Sequence, residues 1–268
     1  LKCLHQAILC ESKGERKSML EFPNVTDYPF FMKTKNTIIL SVFAIICAAS
    51  LTAGSVSDKK SESAKESGFY MEEISKKSEI YKRINGKSYK DDCTVPLSHL
   101  RYIHTLCKAL DGSTHEGEMV CNKHIAEALL EIFQTLYEAD YPIERMILID
   151  EYDADDEKSM EDNNSSCFNF RFISHTKRVS KHGLGLAVDI NPLYNPYIKE
   201  VDGKTIIEPI TAGTYTDRNA DFNYKIDEND LAYKLFTRHG FEWGGNWQEL
   251  KDYQHFEIPT YVIEKLYR

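Results

Sequence analysis

Several signatures are missing from this 268-residue chain, and each absence removes a class of function. No long run of Lys or Arg occurs, and the formal net charge is -9. Binding to phosphate backbones needs clustered cations, so a nucleic-acid partner is not expected. None of the seven cysteines forms a Cys-x-x-Cys pair, so neither a cysteine zinc site nor a thioredoxin-like motif is supported. No G-x-S-x-G elbow, P-loop or internal repeat is present. The longest apolar run falls short of a membrane-spanning helix.

Hydrophobic residues make up 42% of the chain and aromatics 12%, with 16 Tyr and 13 Phe. That supports one sizeable domain and argues against disorder. Residue 1 is Leu, and residues 1–31 show no hydrophobic period. Met32-Lys33-Thr34-Lys35 then precede the apolar run Ile38 to Ala49, with small residues at Ala48, Ala49, Ser50, Ala53 and Gly54. A positive start, a short apolar stretch and small residues read as a secretory signal peptide. The alternative is a buried helix in a longer amino-terminal region. The expected organisation is an upstream artefact at 1–31, a signal peptide at 32–54, a polar linker at 55–92 and a folded domain at 93–268. Cys47 lacks the small residue that should precede a lipid-modified cysteine. Export leaves Cys93, Cys107, Cys121 and Cys167, which permit two disulfides in three possible pairings, or free buried thiols.

Within the domain, Ile125, Leu129, Ile132, Phe133 and Leu136 recur three or four apart, which predicts a helix over 122–137. Met146-Ile147-Leu148-Ile149 predicts a buried strand within 145–152, the acidic stretch 153–166 a loop, and 186–190 a second strand. A helix is expected over 231–239, stopping at Gly240, and a last strand over 256–258. Strands and helices mix without a βαβ rhythm, which favours an α+β fold.

Three stretches carry chemistry. They are Ser180-Lys181-His182-Gly183-Leu184-Gly185-Leu186-Ala187-Val188-Asp189, Gly240-Phe241-Glu242-Trp243-Gly244-Gly245-Asn246-Trp247 and Asp252-Tyr253-Gln254-His255-Phe256-Glu257. A catalytic zinc takes three ligands from His, Asp or Glu and keeps one position open. His182 and Asp189 offer an imidazole and a carboxylate, and Gly183 and Gly185 let the backbone bend between them. Asp189 sits between Val188 and Ile190, where a carboxylate is costly unless it is paired or bound to metal. The third stretch adds the imidazole of His255, with Asp252 three residues earlier as a candidate base. Each piece also has a plain structural reading: an edge-strand Asp, a loop Asp, a structural His.

Taken in order, S-x-H-x-x-G-x-A-x-D, G-F-x-W-G-G-x-W and D-x-x-H-F-E resemble the D-alanyl-D-alanine carboxypeptidase family of zinc peptidases, which also contains L-alanyl-D-glutamate endopeptidases. The resemblance spans roughly residues 95–268. It implies a small, mostly antiparallel sheet with flanking helices, the hedgehog/DD-peptidase-like zinc domain. It implies one zinc ion per chain, held by His182, Asp189 and His255. Asp252 stands where the family places its catalytic base, some members having Glu there. Arg171 stands where an Arg steadies the substrate carbonyl, its alternative being a structural salt bridge. Trp243 and Trp247 are expected to line the cleft or the core, and Ser180 to orient a ligand. The implied substrate is a peptidoglycan stem peptide or another D-amino-acid-containing peptide, cut by a D,D-carboxypeptidase or an L-Ala-D-Glu endopeptidase. The implied place is the periplasm or envelope of a bacterium. A monomer with no membrane span after signal removal is expected. The competing reading is a non-catalytic zinc-containing module that binds wall peptides. A calcium loop at 217–228 is disfavoured, because Phe222 stands where the turn needs Gly. His175 and His239 are spare imidazoles.

Overall fold

The computed structural model describes residues 65–173 and 176–266. The expected upstream stretch 1–31, the signal peptide 32–54, positions 55–64 of the linker, and His175 lie outside the described residues.

The largest sheet rests on a long hairpin. Strands β2 (Leu100–Lys108) and β3 (Thr114–Asn122) pair antiparallel, and β1 (Tyr70–Glu73) adds antiparallel to β2. Side chains alternate across the pleat. Ile103, Cys107, Met119 and Cys121 face one side, Leu100, Tyr102 and Val120 the other. Helix α2 (Ala126–Glu138) covers the first side with Leu129, Ile132, Phe133 and Leu136. It starts later than its apolar period suggested, because Asn122 still belongs to β3.

The second side is covered by Ile74, Ile84, Val95, Phe168 and Phe170. Helix α1 (Glu79–Ile84) begins at Ser78, whose hydroxyl accepts from the Tyr81 N–H. The folded region therefore reaches back to Tyr70, into the stretch expected to be a polar linker. Its few apolar residues are the ones that close the sheet's second face. The expected strand over 145–152 is instead an extended segment running into a 3-10 turn at Ile149–Tyr152. The expected loop 153–166 contains helix α3 (Asp156–Glu161), capped by Asp155.

Two further three-stranded antiparallel sheets carry the remaining motifs. One has the order β4 (Ala187–Asp189), β9 (His255–Glu257), β7 (Glu242–Trp243). The other has the order β6 (Lys204–Glu208), β5 (Tyr197–Val201), β8 (Lys251–Asp252). Helix α4 (Leu231–Arg238), capped by Asp230, and helix α5 (Thr260–Leu266) complete the mixed α+β architecture. Phe236 of α4 stacks on Phe256 of β9, ring centroids 4.4 Å apart, and meets Phe133 of α2 edge-on. Each such buried ring contributes roughly 1.5–3 kcal/mol, so Phe256 anchors β9 in the core beside His255. Among the described residues no helix is long and apolar enough to cross a membrane.

Candidate active site

Two strands and one turn bring the motif residues together. Asp189 of β4 and His255 of β9 are directly opposed, so their side chains leave the sheet on the same face. His182 comes from the turn before β4. That turn is closed by the Leu186 N–H donating to the Lys181 carbonyl at 2.9 Å and by the Gly183 N–H donating to Ser180 Oγ at 2.9 Å. Ser180 thus shapes the turn and does not touch a candidate ligand. Gly185 takes φ +67°, and a Cβ there would lie 2.8 Å from the Asn122 backbone nitrogen. Only glycine lets the turn sit this close to the end of β3.

Among the described residues, the group that could hold a metal ion is His182, Asp189 and His255, with one ligand atom from each within 4.8 Å of the others. Nε2 of His182 lies 3.2 Å from Asp189 Oδ2 and 3.1 Å from His255 Nδ1. Nδ1 of His255 lies 2.9 Å from Asp189 Oδ1. The outer nitrogens are also engaged: Nδ1 of His182 donates to the Cys167 carbonyl at 2.7 Å, and Nε2 of His255 donates to Glu257 Oε2 at 3.0 Å. These outer bonds place one proton of each ring outward and turn Nε2 of His182 and Nδ1 of His255, whose lone pairs a metal ion would use, toward a carboxylate. Such an array of electron pairs is stable only with a cation or a proton between them, and its two imidazoles and carboxylate match a zinc donor set. Burial opposes charge on His255, yet the Asp189 and Glu257 carboxylates outweigh it and push its pKa up to about 10. Burial also works against an ionised Asp189, but the two imidazoles hold its carboxyl far below the usual range.

Asp252 ends β8, three residues before His255. Its Oδ1 is buried and has no hydrogen-bond partner. Burial first, and the Asp189 charge second, raise its pKa to about 7, while His255 and the Gln254 amide pull the other way. Gly244 permits this placement: a Cβ there would lie 2.6 Å from the Asp252 carbonyl oxygen and 2.8 Å from its Cβ. Arg171 is held through Nε by Asp156 Oδ2 at 3.1 Å, while its Nη1 is buried without a partner.

Residues 174–258, which contain all three candidate ligands and Asp252, match the family model described as D-alanyl-D-alanine carboxypeptidase. The match covers 85 of the 268 residues, and over that stretch the chain is similar to this family of zinc peptidases. That match indicates a zinc metallopeptidase. No curated protein and no solved structure matches it.

Other sequence expectations for the peptidase divide. Trp243 is core, its Nε1 donating to the Tyr253 carbonyl at 2.9 Å, whereas the half-buried Trp247 packs its ring 5.4 Å from that of His255. Cys93, Cys107, Cys121 and Cys167 are all free thiols. His239 accepts no ligand role: its Nδ1 donates to the Leu235 carbonyl at the end of α4. In the 217–228 loop the Lys225 ammonium reaches the Ala220 carbonyl at 2.9 Å, filling with a cation of the chain's own the place a calcium reading would need. Sequence reasoning assigned no role to Lys181 and Glu257, although both lie inside the quoted motifs. The period of a strand was the available signal, since Glu257 at i+2 shares the face of His255. Tyr197 was missed as well. It stands opposite both Asp252 and Glu208 in the third sheet, and so forms a row with them beside the site.

Proposed function

We propose that this peptidase hydrolyses a peptide bond in bacterial peptidoglycan stem peptides, as a D,D-carboxypeptidase or an L-Ala-D-Glu endopeptidase. On this reading it works outside the cytoplasm, at the cell wall. One zinc ion per chain is held by His182, Asp189 and His255. The observation that carries this is the pair of inward imidazole nitrogens and a carboxylate converging in one buried cluster. Zinc in that cluster supplies Lewis acidity to the scissile carbonyl and to the attacking water.

The chain's own residues do the remaining work. Asp252 takes the proton from the attacking water and delivers it to the leaving amine, and burial raises its pKa to about 7 in the absence of metal. A divalent cation nearby draws that value down and keeps Asp252 ionised at neutral pH. Arg171 offers the unpartnered Nη1 to the oxygen that gains negative charge, with Asp156 fixing the guanidinium from behind. Trp247 flanks His255 and limits water on that side of the cleft. A purely peptide-binding module would have no use for a buried carboxylate and a buried guanidinium nitrogen that are both left unpartnered.

The test is digestion of purified muropeptides followed by mass spectrometry, with metal-stripped protein and Asp252→Ala as controls. Loss of a terminal D-alanine identifies a carboxypeptidase, and a cut between L-alanine and D-glutamate an endopeptidase. No cleavage by folded, zinc-loaded protein would move the peptide-binding module to the front.

A further inference from the structure

A second layer of contacts runs outward from the cluster. Glu257 uses Oε2 to accept from Nε2 of His255 at 3.0 Å, the nitrogen turned away from Asp189. Its other oxygen, Oε1, accepts from Lys181 Nζ at 2.6 Å. The Lys181 and Glu257 side chains are only 17% and 13% exposed, so solvent screens this pair weakly. The position of the pair in the chain is specific. Lys181 immediately precedes His182, and Glu257 follows His255 by two residues on the same strand face. One ion pair therefore joins the two segments that carry the imidazoles. Opposite Glu257 in β4 stands Ala187, fully buried, whose small side chain leaves room for the carboxylate to lie along β9 toward His255.

We propose that Glu257, held in place by Lys181, is a positioning residue that fixes His255 as its Nε2–H tautomer and thereby sets how tightly the site holds its metal ion. The inference rests on the metal reading given above. A carboxylate on Nε2 keeps the ring proton outward and the lone pair on Nδ1, facing Asp189. It also fixes the ring orientation and makes the imidazole a better donor. Lys181 matches the charge of Glu257, so the carboxylate stays on Nε2 and does not swing inward to compete for the cation. Burying this pair for stability alone gains little, because desolvation offsets the attraction. Orienting a ligand gives the pair a use that stability does not.

The test is zinc affinity of the full chain, measured by competition with a chromophoric chelator. It is paired with melting of the zinc-free protein and with the visible spectrum of the cobalt-substituted form. Glu257→Gln and Lys181→Met are each expected to weaken zinc binding by roughly 10- to 100-fold and to shift the cobalt bands. Lys181→Arg is expected to bind like the native chain and to melt near native without zinc, whereas zinc-free Glu257→Gln and Lys181→Met are expected to melt lower and to lose more zinc affinity than that lower stability accounts for. Unchanged affinity, or a loss that only follows a matching loss of zinc-free stability, overturns the proposal. Should Glu257→Gln fail to fold, the comparison of Lys181→Met with Lys181→Arg decides. If the native chain itself takes up no zinc, the metal reading falls and this inference falls with it.

Discussion

Arg171 is tied at one nitrogen and free at another: Asp156 holds Nε, and the buried Nη1 has no partner. A lysine at that position keeps the charge but has no planar fork with which to meet Asp156 and substrate at once. Arg171→Lys should therefore lower kcat roughly 10²- to 10³-fold at unchanged zinc content, as measured by steady-state kinetics alongside metal analysis. An equal rate would return Arg171 to the salt-bridge reading. His255 gives a second expectation. Without metal its pKa is pushed up to about 10, so at pH 7 it carries a proton on the nitrogen that faces Asp189. Zinc must displace that proton. Calorimetric titration in buffers of different ionisation enthalpy should register release of about one proton per zinc at pH 7, with affinity rising as pH rises. Absence of proton release would mean that the metal does not use Nδ1 of His255. His255 was legible in the sequence because it stands in a motif, and Arg171 only through the family resemblance. Lys181 and Glu257 were not, because an outer partner of a ligand becomes visible only once the strand face and the turn are known.

Elements were legible where one periodicity dominated, as in α2, α4, β4 and β9. The β2–β3 hairpin escaped although Asp111-Gly112 marks its turn. His104, Glu116 and Glu118 interrupt the apolar alternation, and Glu118 is tolerated only because the Arg83 guanidinium and the Tyr102 hydroxyl reach it from the sheet's second side. The same covering segment, 70–92, hid its Ile74 and Ile84 inside a Ser-, Lys- and Glu-rich composition. The opposite error arose at Met146 to Ile149. These residues are apolar because the segment crosses the core, yet the side chain of Asn164 takes the place of a strand partner there, accepting from the Ile147 N–H at 2.8 Å and donating to its carbonyl at 3.1 Å. A side-chain partner of this kind leaves no trace in hydrophobic period. The turn that carries His182 joins the hairpin through Gly185, whose carbonyl accepts from the Asn122 N–H at 2.8 Å. Gly185→Ala places a Cβ against backbone that cannot yield and forces a left-handed φ on alanine. The expected cost is roughly 2–4 kcal/mol, read by denaturant unfolding, together with weaker zinc binding. A variant of native stability would show that this turn can move off β3 without consequence.

At the scale of the whole molecule, the candidate ligands tie distant parts of the chain together: His255 lies 73 residues from His182 and 66 from Asp189. An ion that binds only the folded arrangement stabilises it by mass action, about 4 kcal/mol when free zinc is a thousandfold above Kd. For a folded region of this size each kcal/mol moves Tm by roughly 2–4 °C. Verified zinc removal should therefore lower Tm by roughly 8–16 °C near neutral pH. The gap should also depend on pH, in a direction that follows from His255. In the metal-free chain its pKa is raised from the ordinary 6.5 to about 10, so its bonds to Asp189 and Glu257 stabilise the fold fully below 6.5 and are lost as pH rises through 10. In the zinc-loaded chain that proton is already gone, so the same loss does not occur. Groups away from the cluster titrate alike in both forms and cancel, and Asp252, at about 7, has finished most of its change by pH 8. The difference in Tm between loaded and stripped protein should widen steadily from pH 7 to pH 10. A difference that stays constant over that range would mean that the His255 proton does not substitute for the metal, and a difference of zero would mean that the sheet and turn hold the cluster without any ion.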